Sequence, residues 1–66
     1  MTVPQRILSA TERHGRFNRQ IARRVFAKEA KRLTNEQFAS NIMREAYRLA
    51  EEGRLIKKGR GEFVAY

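Results

Sequence analysis

The apolar positions change rhythm along the chain, and the change divides it into helical and extended stretches. In the last third, Phe38, Ala39, Ile42, Met43, Ala46, Leu49 and Ala50 recur at steps of three and four residues. At about 100° per residue this collects them on one side of a helix, and the spacing predicts a helix over 35–52. Thr34 followed by Gln37 is a capping-box pair at its start. Gly53 supplies the residue that a left-handed helix stop requires. Two short apolar runs follow, Leu55-Ile56 and Phe63 to Tyr66, separated by Lys57-Lys58-Gly59-Arg60-Gly61-Glu62. The two glycines permit a tight reversal, so 55–66 reads as a β-hairpin with Leu55, Ile56 and Phe63 closing a core.

Upstream, Thr2 to His14 reads as a first helix, with Pro4 in the first turn and Gly15 as its stop. Ile7, Leu8, Ala10 and Thr11 give it a narrow apolar stripe, which Val3 extends. Asn18 is an N-cap candidate for a second helix, Arg19 to Leu33, whose apolar side holds Ile21, Ala22, Val25, Phe26, Ala30 and Leu33. Phe17 is expected between these two helices. The expected fold class is α+β, mainly α: three helices followed by a C-terminal two-stranded β-hairpin, forming one domain over residues 1–66.

At 66 residues the chain has room for one small core, worth a few kcal/mol at most. It has no cysteine to staple that core. No apolar run approaches the roughly 18–20 residues of a membrane span, and the first residues lack the apolar centre of a signal peptide. The expectation is a soluble, cytoplasmic protein, near the nucleoid or inside a host cell, with no membrane partner.

Charge sharpens the picture. Fifteen Lys and Arg against seven Asp and Glu give a net +8. Between Arg13 and Arg32 there are eight basic residues and one acid, Glu29. Clustered positive charge on a small domain points to a polyanion, and nucleic acid is the commonest one. The helix over 35–52 carries Gln37, Ser40, Asn41, Arg44 and Arg48 opposite its apolar side. Arg suits the guanine edge and Asn and Gln the adenine edge in the major groove, so Gln37, Ser40, Asn41 and Arg44 are the candidate base readers. Arg48 falls nearer a phosphate. Arg19, Arg23, Arg24 and Lys28 on the preceding helix are candidate backbone contacts. Lys57, Lys58 and Arg60 crown the hairpin turn, where a long cationic side chain can meet a minor groove or a phosphate.

Catalytic chemistry finds no footing in these residues. The single histidine, His14, has no flanking ligand and suits a helix C-terminus as a cation. The acids show no metal-ligand spacing, and neither a phosphate-binding loop nor a dinucleotide fingerprint is present. The expectation is no enzyme, no metal and no cofactor.

A helix feeding a basic hairpin is the pattern of a winged helix-turn-helix. The stretch Arg44 to Tyr66 resembles the end of that domain in GntR-type bacterial transcription regulators. The matching residues are Arg44, Glu45, Ala46 and Leu49 of the helix, Glu52-Gly53 and Leu55-Ile56 at its stop, and Gly59, Gly61 and Phe63-Val64-Ala65 of the wing. The resemblance implies that Arg44 meets DNA from a recognition helix and that Gly59-Arg60-Gly61 forms a wing tip. This sequence departs from the pattern in carrying Arg54 between Gly53 and Leu55, in a shorter wing, and in lacking a glycine before the third helix. The expected function is that of a small transcription regulator binding double-stranded DNA, with the third helix in the major groove and the wing, 57–62, on the minor groove or backbone. A sequence-indifferent architectural binder of DNA or RNA, and a winged protein-interaction module, are the rivals. The protein is expected as a monomer or weak homodimer, with Val3, Phe26 or Tyr66 available for pairing.

Overall fold

Thr2 opens the first helix through a capping box of its own. Its hydroxyl accepts the Gln5 N–H at 3.3 Å, and the Gln5 side-chain oxygen accepts the Thr2 N–H at 3.0 Å. The computed structural model describes all residues from Met1 to Tyr66. Helix α1 is Val3–His14 and ends at Gly15, whose φ of 76° is the left-handed cap foreseen for it.

The second expected helix is broken. Residues Arg19–Val25 form α2 and Ala27–Arg32 form α3, with Phe26 between them at φ −107° and ψ 48°. The break coincides with full burial of the Phe26 ring. It is stitched from outside the segment: the Arg6 guanidinium of α1 donates to the Val25 carbonyl at 2.7 Å, lies 4.3 Å over the Phe26 ring and meets Glu29 at 3.5 Å. A carbonyl that a broken helix leaves without its usual partner thereby gains a charged donor. The chain therefore has four helices rather than three, and Phe26 is core, not a surface open to pairing.

Asn35–Phe38, Ala39–Met43 and Arg44–Glu51 run on as one rod, α4, whose middle segment is a π-helical turn. The expected capping box is present: Thr34 and Gln37 exchange bonds of 3.0 and 3.1 Å. The rod stops in a Schellman motif. Gly53, at φ 78°, donates to the Ala50 carbonyl at 3.1 Å, and Arg54 donates to Leu49 at 2.9 Å. The extra residue Arg54 thus supplies the second bond of the stop before Leu55 turns into the core.

Strands β1 (Leu55–Gly59) and β2 (Glu62–Ala65) form an antiparallel hairpin with Ile56 opposite Val64 and Lys57 opposite Phe63. The register slips between Lys57 and Gly59, and Gly61 takes φ 72° at the tip. Leu55 and Phe63 are buried as expected. Ile56 is not: the period of two puts it on the outer face, 41% exposed. Phe17, in the connection between α1 and α2, is fully buried in the core. It exchanges backbone bonds of 2.8 and 2.9 Å with Phe63, forming a bridge on the far side of β2 and tying the hairpin to the α1–α2 connection. All four phenylalanines, Phe17, Phe26, Phe38 and Phe63, are at most 1% exposed. They belong to one core of twelve buried residues, against which Ala30 of α3 also packs. The class is α+β, mainly helical, and its shape is compatible with a winged helix. No helix is long and apolar enough to cross a membrane.

Candidate nucleic-acid interface

A groove of about 820 Å³ opens between the start of α2, one face of α4 and the hairpin tip. Arg19 and Gln20 form one wall, Ser40 and Arg44 the floor, and Arg60 with Glu62 the other wall. Three arginines from three separate elements therefore meet on one concavity, against a single carboxylate. None of the three takes part in an ion pair; the pairs in the structure are Arg6–Glu29, Arg48–Glu45 and Arg48–Glu52. An exposed guanidinium without a partner is free to meet a phosphate or a base edge with its planar fork.

Tyr47 fixes the width of the groove. Its hydroxyl accepts the Gly61 N–H at 2.9 Å, and its ring stands edge-on to Phe63 at 5.0 Å and 82°. The hairpin tip is thereby pinned to α4 one turn beyond Arg44. At the other wall, Asn18 caps α2 by accepting the Ile21 N–H at 2.9 Å, which places Arg19 in the first turn.

The expected site residues divide. Ser40 and Arg44 line the groove. Gln37 is exposed, but its side-chain oxygen holds the Thr34 N–H in the cap, leaving only its amide NH2 to donate. Asn41 is exposed outside the groove. Arg19 is in the groove, whereas Arg23 donates to the Asn35 side chain and lies 5.5 Å over the Phe38 ring, clipping α2 to the start of α4. Arg24 and Lys28 are exposed and lie outside it. Arg48 is held between Glu45, at 4.0 Å, and Glu52, at 3.6 Å. In the hairpin Arg60 lines the groove and Lys58 is exposed, while the Lys57 ammonium folds back to 5.1 Å over the Tyr47 ring.

Gln20, Tyr47 and Glu62 belong to the groove although nothing in the sequence reading put them there. The one available signal was spacing: Tyr47 lies three residues after Arg44, on the same side of a helix. No group of three or more His, Cys, Asp or Glu side chains gathers anywhere. Comparison of the chain with family models, with curated proteins and with solved structures gave no significant match.

Proposed function

We propose that the protein binds duplex DNA as a winged helix, with α4 entering the major groove and the hairpin tip resting on the neighbouring minor groove or backbone, and that it acts as a small transcription regulator. The observation that carries this reading is the convergence of Arg19, Arg44 and Arg60, unpaired, on one groove. Arg44, in the middle of α4, is the side chain suited to a guanine edge, with Ser40 one turn before it. Arg19 and Arg60, on the two walls, suit the phosphates that flank a helix laid in the groove. The likeness of Arg44 to Tyr66 to GntR-type wings supports the same roles for Arg44 and for Gly59-Arg60-Gly61. Binding of this kind needs no cofactor and no catalytic step.

The test is a titration of the protein against random-sequence duplex DNA, random RNA and a pool of genomic fragments, followed by Arg44→Ala on the best sequence. The expected loss is about 1–3 kcal/mol on that sequence, with relaxed preference at one base pair. An equal loss on every sequence would make Arg44 a phosphate contact. Preference for RNA over duplex DNA in the wild-type titration would overturn the choice of partner.

A further inference from the structure

A tyrosine hydroxyl has one proton to give and lone pairs with which to accept. The Tyr47 oxygen accepts the Gly61 N–H at 2.9 Å. Its own proton goes to no protein group: none of the side-chain hydrogen bonds of the fold is donated by Tyr47. The buried Thr11 hydroxyl, by contrast, donates to the Ile7 carbonyl at 2.7 Å. The Thr2 and Thr34 hydroxyls also accept without donating, but they sit at exposed helix caps and neither lines the groove.

The place of the Tyr47 hydroxyl follows from Gly61. Gly61 has no side chain, so it lines the groove with backbone alone, and the 2.9 Å bond seats the hydroxyl oxygen against that backbone. The ring behind it is occupied, with Phe63 edge-on at 5.0 Å and the Lys57 ammonium at 5.1 Å. Tyr47 is half-buried, so its hydroxyl cannot swing outward as an arginine head can. Arg44 stands one helical turn before it, and Arg60 is the residue next to Gly61; both line the same groove. A neutral donor is thus held rigidly on the wall from which Arg60 projects. The Gly61 N–H polarises the hydroxyl it donates to, which makes that hydroxyl the better donor in turn.

We infer that the Tyr47 hydroxyl donates to a backbone phosphate of the bound duplex, and so touches DNA directly besides holding the hairpin tip. The inference rests on the duplex-DNA reading of the groove. Reach decides for phosphate over base edge: the hydroxyl is tied to the hairpin wall by Gly61, whereas a base edge calls for a side chain that extends from the floor, as Arg44 does. Tyrosine is among the neutral side chains that position a duplex through its phosphates. Such a contact adds affinity without adding salt dependence, because an uncharged donor neutralises no phosphate. A donor already fixed in place also loses little freedom on binding.

The experiment is a double-mutant cycle on the full chain. Fluorescence anisotropy measures the affinity of wild type, Y47F, R60A and Y47F/R60A across a range of salt, on the best-bound sequence and on random-sequence duplex. Removing Arg60 first takes away the cation that a loosened hairpin tip would misplace. Y47F/R60A should still bind about three- to tenfold more weakly than R60A, the weight of one hydrogen bond exchanged against water. The factor should be the same on both duplexes, and the log–log salt slope should equal that of R60A. Equal affinity of R60A and Y47F/R60A would show that Tyr47 acts only through Arg60, and the direct contact would be wrong. A loss confined to the best-bound sequence would put the hydroxyl on a base edge and overturn the phosphate contact. If circular dichroism shows the double variant unfolded at the assay temperature, 3-fluorotyrosine in place of Tyr47 decides instead. It is a stronger O–H donor and a weaker acceptor than tyrosine, so a phosphate contact predicts tighter binding; equal or weaker binding would refute it. All these outcomes leave the groove reading standing, whereas a wild type that binds no duplex removes that reading and the contact with it.

Discussion

Tyr47→Phe isolates the one bond that holds the hairpin tip to α4. The substitution keeps the ring, and with it the edge-on contact to Phe63 at 5.0 Å and the Lys57 ammonium at 5.1 Å. It removes the acceptor of the Gly61 N–H, 2.9 Å away. Gly61 takes part in none of the backbone bonds outside the helices and strands, so this hydroxyl is the partner its amide has. A neutral hydrogen bond contributes about 0.5–1.5 kcal/mol net. Gly61 is half-buried, so water replaces part of the loss, and about 1 kcal/mol is the expected cost. In a domain of this size that lowers the thermal midpoint by about 4–8 °C. Thermal unfolding followed by circular dichroism measures the midpoint, and amide exchange by NMR reads the site. Gly61 should exchange faster by more than the global shift explains, while the amides inside α4 follow the global shift. On DNA, Arg60 then has to be ordered at the moment of binding, so affinity falls by less than removal of Arg60 would cause. An unchanged midpoint together with unchanged protection of Gly61 would show that the strands alone position the tip, and the role given to Tyr47 would be wrong.

Phe38→Ala removes a ring that is 1% exposed, at a typical cost of about 3–5 kcal/mol; a core this small should not survive it, and an intact unfolding transition near the wild-type midpoint would refute its place in the core. Arg6→Met loses both the donor to Val25 and the guanidinium over the Phe26 ring, so urea unfolding should show a loss of about 1.5–3 kcal/mol, nearly all of it from these two contacts rather than from the partly exposed pair with Glu29. A urea midpoint equal to wild type would mean that the Phe26 break needs no stitch. Arg60→Ala should leave folding unchanged and reduce the log–log salt slope of DNA binding by up to about 0.9, and an unchanged slope would leave the hairpin as core closure only.

The local pieces of the fold were legible because each is written within a few residues. Thr34 with Gln37, Gly15, Gly53 and the paired glycines of the hairpin are stop and start signals whose chemistry is complete in sequence. The split of the second helix was not legible. Its apolar spacing continues through Phe26, and what stabilises the break is a guanidinium twenty residues upstream, at Arg6. Phe17 is the same kind of case: its role depends on Phe63, at the far end of the chain, and a single bridged residue leaves no alternating pattern to read.

The site was legible by composition and obscure by geometry, and the π-helical turn in α4 is one reason. An ideal wheel places Gln37, Asn41, Arg44 and Arg48 on one face. In the rod, the Arg44 N–H reaches back five residues to the Ala39 carbonyl, so residues before and after this turn are rotated relative to the ideal wheel. Ser40 and Arg44 then share the groove, while Gln37 and Asn41 fall outside it. The second reason is that the walls come from elsewhere. Arg19 reaches the groove because Asn18 caps α2 there, and Arg60 because Tyr47 holds Gly61. Neither bond touches a charged residue, yet together they decide which arginines converge. A count of basic residues therefore suggests the class of partner proposed, whereas the neutral polar side chains Asn18 and Tyr47 help set which arginines share the groove.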